Sequence, residues 1–154
     1  ADVRKAMYAT GTRGGLASVF VNKFTSFSGD HTDTKVLRLS EMYLIAAEAS
    51  YPSSSADALT YVNEVTSRRG APAIATSGAA LLEDIILERR KELAFEGDRY
   101  LDMQRLQRGI VRSTDYPASA RTLDYSNFRR LMPIPQGELD ANSTIKTQQN
   151  PGWF

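Results

Sequence analysis

The chain has no cysteine, and histidine and tryptophan occur once each, as His31 and Trp153. Without a thiol there is no disulfide framework, thiolate metal centre or cysteine nucleophile, although the absence leaves the compartment open. Excess charge of either sign is missing too. Nineteen basic residues face eighteen acidic ones for a net charge of +1, so no bulk field draws in nucleic acid or an anionic membrane. No run approaches the roughly 18 apolar residues of a membrane-spanning helix, and the first residues, ADVRKAMYATGTRGG, lack the apolar centre of a signal peptide. The chain is expected to be cytosolic, or a mature or truncated piece of an exported protein. With 154 residues, 42% of them hydrophobic, residues 1–154 are expected to form a single domain with its own core.

What is present is helical periodicity. Residues 1–35 are rich in glycine, serine and threonine, with one alternating patch from Ala17 through Val19 and Val21 to Phe24 that fits a strand. From Leu37 the apolar spacing becomes helical: Leu37, Met42, Leu44 and Ile45 predict a helix over about 37–50. Pro52 and the serines after it break that helix and offer caps for a second, from about Ala56, which turns Ala58, Leu59, Val62 and Val65 inward. Gly70 suits the left-handed residue after its end, and Pro72 bars its resumption. The two helices should form an antiparallel hairpin.

The stretch 81–106, LLEDIILERRKELAFEGDRYLDMQRL, carries the longest helical period and the densest charge. It predicts a helix from about Ala79 to Phe95 or Glu96, a turn at Gly97, and a helix from Asp98 to about Arg108. The pair is either a second hairpin or a sharply kinked helix. Leu82, Ile85, Ile86, Arg89, Leu93 and Glu96 would share one stripe. Glu88, Glu92 and Glu96 recur at i, i+4 and i+8, a like-charge ladder that repels itself unless cations meet it. Arg89, Arg90 and Lys91 on the same helix, with Arg99 and Arg105 beyond the turn, meet it in part. The charged side is therefore expected to face another element. Beyond Gly109 the chain should be irregular, with a short extended piece before Pro135, one helical turn over 136–142 and a docked tail ending in Trp153 and Phe154.

Each chemical reading has a structural competitor. The glutamate ladder invites a di-metal site, but such sites use Glu-x-x-His pairs, and His31 stands alone in a loop far away in sequence. Ion pairing is the expected role, and no metal or cofactor is called for. His31 with Asp30 and Asp33 has neither a serine motif nor a second histidine beside it and is expected in a solvated loop. Arg68-Arg69 and Arg129-Arg130 lack a glycine-rich phosphate cradle, so pairing with the acidic ladder is the expected role for both. Tyr43, Tyr61 and Tyr100 fall on helices as packing residues. Tyr116, Tyr125 and Trp153 fall in loops, where docking against the helices competes with stacking on a ligand.

Taken in order, these segments resemble the SusD/RagB family of surface glycan-binding lipoproteins from Bacteroidetes. LRLSEMYLIAAEA at 37–49, VNEVTSRRGAP at 62–72, ILERRKELAFEGDRYLD at 86–102, MPIPQGEL at 132–139 and QNPGW at 149–153 are similar to five successive family motifs, of which the third is the most specific. Thr66 stands where the family commonly has arginine, and Asp98 where it often has histidine. The resemblance implies a mostly α-helical fold of tetratricopeptide-like helical hairpins over 36–109, flanked by a loop or strand segment over 1–35 and an irregular segment over 110–154. It also implies that the chain corresponds to the C-terminal part of a longer protein, anchored in the outer membrane at the cell surface through a lipidated cysteine absent from this chain.

The function implied is non-enzymatic: binding an oligosaccharide or polysaccharide and delivering it to a TonB-dependent transporter. Glu88, Arg89, Glu92, Glu96, Arg99 and Asp102 would form an interhelical ion-pair network, and Tyr116, Tyr125 and Trp153 are the candidate sugar-binding residues. The alternative is a tetratricopeptide-like scaffold that binds a protein or peptide without a glycan. Only two hairpins and no 34-residue repeat are visible for it, the number being about that of a full repeat.

Overall fold

The computed structural model describes residues 1–23 and 36–153. The chain is mostly α-helical and divides into two compact units, Ala1–Asp98 and Arg99–Phe154.

The first unit opens with a 3-10 turn, Val3–Met7, capped by the Asp2 carboxylate, which accepts from the Arg4 amide at 2.9 Å. Strands β1 (Tyr8–Arg13) and β2 (Leu16–Val21) follow as an antiparallel hairpin with Tyr8 opposite Val21 and Arg13 opposite Leu16. Gly14 and Gly15 between them have φ of 57° and 79°, the two positive values that a type I′ turn demands. The alternating patch thus marks β2, beginning at Leu16, while β1 lacked the alternation that would have flagged it. Phe24 and the His31 loop lie outside the described residues.

Helices α1 (Leu39–Ser50), α2 (Ser55–Arg68) and α3 (Gly78–Glu92) enclose one core of Leu44, Ala47, Ala58, Val62, Val65, Leu81 and Ile85. Both alanines are fully buried, and their small side chains let the helix axes approach closely. Met42 and Ile45, part of the spacing that predicts this helix, are about half exposed, because Leu44 and Ala47 carry the buried face of α1. The ends of α2 follow the sequence signals. Ser54 Oγ accepts from the Asp57 amide at 3.2 Å. At the other end Gly70 has φ 63°, and the Gly70 and Ala71 amides donate to the Ser67 and Thr66 carbonyls at 3.1 and 3.0 Å, a Schellman motif.

Helix α3 stops at Glu92, short of the expected Phe95 or Glu96. Phe95 takes φ 68°, a conformation costing a non-glycine residue roughly 1–2 kcal/mol. Two contacts offset it. The Phe95 ring meets Tyr8 edge-on, with centroids 5.5 Å apart, and Lys23 Nζ donates to the helix-end carbonyls of Glu92 at 3.3 Å and Ala94 at 2.7 Å.

Helix α4 (Asp98–Arg105) puts the Asp98 carboxylate in its first turn, where the positive helix end favours it. It ends at Arg105 rather than Arg108 because Gln107 has φ 52°, and the Gln107 and Arg108 amides close a second Schellman motif on Gln104 and Met103. In the second unit a two-residue ribbon, absent from the sequence reading, pairs β3 (Ile110–Val111) with β4 (Thr122–Leu123), which directly follows the short α5 (Ala118–Arg121). Helix α6 (Gln136–Ala141) is the expected single turn. The tail is docked by side-chain amides. Gln149 accepts from the Ile134 amide at 2.8 Å and donates to its carbonyl at 3.2 Å, and Asn150 donates to Met132 at 2.6 Å.

Candidate functional site

The glutamates of α3 define the most concentrated electrostatic feature of the first unit. Glu88 and Glu92 lie one turn apart on the buried face of α3, and their side chains are 1% exposed. The cations that meet them come from distant parts of the chain. Arg69 binds Glu92 through both arms, Nε at 2.9 Å and Nη2 at 2.6 Å. Arg38 Nη2 reaches the same carboxylate at 2.7 Å, and Arg4 Nη1 lies 3.5 Å from it. Arg4 Nη1 also lies 2.6 Å from Glu88 Oε1, in an ion contact without the alignment of a hydrogen bond. Glu96, beyond the helix end, pairs with Lys23 and Arg38.

Of the charges on α3 itself, one turns away from the ladder and one joins it. Arg89 Nη2 binds Glu41 of α1 at 2.9 Å, and Lys91 holds Glu88 Oε2 at 3.2 Å. In the second unit Asp102 binds Arg105 one turn on at 3.0 Å, and Arg99 is exposed.

The balance of burial and charge is visible in the titration of these groups. Burial pushes the Glu92 carboxyl up, but hydrogen bonds from Arg69 and Ser40 and the charges of Arg69 and Arg38 outweigh it and hold the group below the usual carboxylate range. The Glu92 hydrogen bond raises the Arg69 guanidinium against its own burial. Asp2 is lowered to about 2, chiefly by its hydrogen bond from the Arg4 side chain. Thr66 is buried and donates to Asn63 Oδ1 at 3.1 Å. Asn63 in turn clamps both backbone groups of Ile74 at 2.8 and 2.9 Å.

Beside this network lies a cavity of about 350 Å3 lined by Arg38, Leu39, Ser40, Tyr43, Glu64, Val65, Arg68 and Arg69. The start of α1 supplies Ser40 and Tyr43, and the last turn of α2 supplies Val65 and Arg68. Arg68 and Glu64 pair at 3.3 Å on its rim. Among the described residues no three carboxylates, histidines or cysteines gather as a metal would require, and no helix is long and apolar enough to cross a membrane.

The loop aromatics occupy the second unit, each against its own partner. The Arg112 guanidinium lies 5.6 Å from the Tyr116 ring centre, and that of Arg130 lies 5.2 Å from Tyr125. Trp153 meets Phe128 edge-on at 5.4 Å, and its indole N–H donates to the Leu131 carbonyl at 2.8 Å. All three rings are between a third and a half exposed. Among the described residues Arg130 has no carboxylate partner, contrary to the expectation. It is buried, holds Gln104 Oε1 with Nε at 3.0 Å and Nη2 at 2.7 Å, and donates to the Arg108 carbonyl. Its neutral acceptors, with the Tyr125 ring face, leave the charge solvated by the protein itself.

Comparison with known proteins places this architecture. A model of the SusD family matches residues 5–153. The SusD-like protein P2 of Formosa agariphila is 34% identical over 128 residues, which take in 76% of this chain and 25% of that protein. Among solved structures, a SusD superfamily protein from Bacteroides vulgatus superposes with a TM-score of 0.80 at 31% identity, over 99% of this chain and 36% of its own. A SusD-like carbohydrate binding protein from the same organism does so with a TM-score of 0.73 at 29% identity, over 95% of this chain and 38% of its own. The chain therefore spans a quarter to just over a third of these relatives.

Proposed function

The chain belongs to the SusD family, and we propose that it is part of a glycan-binding component of an outer-membrane nutrient-uptake system, which passes oligosaccharide to a TonB-dependent transporter. The observation that carries this reading is the superposition of nearly the whole chain on a solved relative described as a carbohydrate binding protein. The three-helix unit acts as scaffold, its ion pairs fixing α3 against the chain segments around it. Sugar contact falls to exposed aromatic faces with hydrogen-bonding neighbours, for which Tyr116, Tyr125 and Trp153 are the proposed residues. The role is non-enzymatic, and the protein sits at the cell surface.

Calorimetric titration of the chain with a panel of oligosaccharides tests glycan binding. Affinity retained in a Tyr116→Ala/Tyr125→Ala/Trp153→Ala variant would remove those rings from the site. Affinity capture from an outer-membrane extract tests the partner: recovery of a β-barrel transporter supports delivery, and recovery of a soluble peptide-bearing protein alone argues for the scaffold reading.

A further inference from the structure

The cavity beside the ion-pair network is lined by three guanidiniums, those of Arg38, Arg68 and Arg69. Glu88 and Glu92, which neutralise the network, are 1% exposed, whereas Arg38, Arg69 and Arg68 are 20%, 29% and 66% exposed. Glu92 thus stands behind Arg38 and Arg69, and the cavity wall carries three guanidiniums against the single carboxylate of Glu64. Arg38 and Arg69 are already immobilised on Glu92, so a ligand reaching their outward edges does not have to order them. Arg69 Nη1 and Arg38 Nε make no hydrogen bond among the described residues, while the other nitrogens of both side chains are engaged. Tyr43 adds an aromatic wall and Glu64, tied to Arg68, an acceptor of the kind that sugar hydroxyls use. One remaining nitrogen on each of Arg38 and Arg69, with the Arg68 guanidinium at the rim, offers charge-assisted donors to an oxyanion.

We propose that this cavity is an oxyanion subsite, which takes a carboxylate or sulfate group carried by an acidic oligosaccharide. The proposal rests on the glycan-binding reading and narrows its substrate class.

The first probe is inorganic sulfate, followed by backbone and arginine side-chain resonances of the full 154-residue chain. Shifts confined to Ser40, Tyr43, Arg38, Arg68 and Arg69, weakening as sodium chloride is raised, are expected. Calorimetry then compares a galacturonate tetramer with a neutral galactose tetramer, and the acidic tetramer should bind more tightly by about tenfold, the worth of one charge-assisted hydrogen bond. Arg68→Gln, at an exposed position outside the buried network, should keep the melting temperature and lose most of that preference, whereas Arg129→Gln in the second unit should keep it. No shift with sulfate and no acidic preference overturn the subsite. A sulfate response without acidic preference also overturns it, leaving an adventitious ion only. If the neutral tetramer binds as well as the acidic one, the subsite falls while the glycan-binding reading stands; if neither tetramer binds, both fall for this part of the protein.

Discussion

Arg69 grips Glu92 with two parallel hydrogen bonds, Nε at 2.9 Å and Nη2 at 2.6 Å, across 23 residues of chain. The pair joins the end of α2 to the end of α3 and brings the residue before Gly70 under electrostatic control. A second tie runs through the same residue, since the Val3 amide donates to the Arg69 carbonyl at 2.9 Å. The first residues of the chain, both helix ends and the carboxylate ladder are therefore one mechanical unit.

Removing the carboxylate should be severe. Glu92→Ala leaves Arg69 and Arg38 without their shared acceptor, and breaking a buried pair costs about 3–5 kcal/mol. Urea denaturation should show that loss, with Arg68→Ala as the contrast. The exposed Arg68–Glu64 pair one turn apart on α2 is worth about 0.3–0.5 kcal/mol at most. Equal losses in the two variants would remove the network from its structural role.

Acid should weaken the first unit. Asp2 and Glu92 both have lowered values in the fold, so the unfolded chain binds protons more readily than the native one. Their stabilisation is present in full above the unfolded carboxylate range, near 3.8 and 4.5, and is lost as the pH falls through the folded values. For Asp2 that window runs from about 4 down to about 2. Melting temperature should be flat above about pH 5.5 and decline below it, and the decline should be shallower in Asp2→Asn.

Gly70→Ala tests the geometry at the end of α2. The residue sits at φ 63°, and a Cβ there would lie 3.0 Å from the Ala1 carbonyl oxygen. A left-handed alanine costs roughly 1–2 kcal/mol, and the contact adds to it. A melting temperature unchanged from the parent would show that Ala1 moves aside and that the Schellman turn tolerates a side chain.

In the second unit, Gln149→Leu keeps volume near Ile134 and removes the clamp on its amide and carbonyl. The orphaned backbone groups cost about 1–3 kcal/mol if they stay buried. Amide exchange at Ile134 and Asn150 should accelerate, since both amides donate to Gln149 Oε1. Unchanged protection at Ile134 would mean that the tail docks without Gln149.

Much of the architecture can be read from local chemistry. Ser54, Gly70 and the apolar positions of α2 announce that helix because capping and periodicity act within a few residues of chain. The five motif segments carry the family for the same reason: each is contiguous. The ladder of Glu88, Glu92 and Glu96 announces that cations must come from somewhere, since three like charges at helical spacing repel. Which cations come is a different matter. Apart from Lys91, three residues from Glu88 on the same helix, they are Arg4, Lys23, Arg38 and Arg69, spread over the first 69 positions, and only the packing of α1, α2 and the N-terminal turn around α3 brings them to it.

Tertiary context also ended α3 at Glu92, where Lys23 and Tyr8 stabilise a backbone that Leu93 and Phe95 would not choose alone. It gave Arg130 neutral oxygens in place of carboxylates, and it seated Tyr116, Tyr125 and Trp153 against three separate partners. By itself the sequence determined the main helices, both ends of α2 and the need to neutralise buried charge, because these depend on short-range spacing. The structure decided who neutralises it and where guanidiniums are left facing solvent, because Coulomb energy and desolvation depend on distances that sequence separation does not encode.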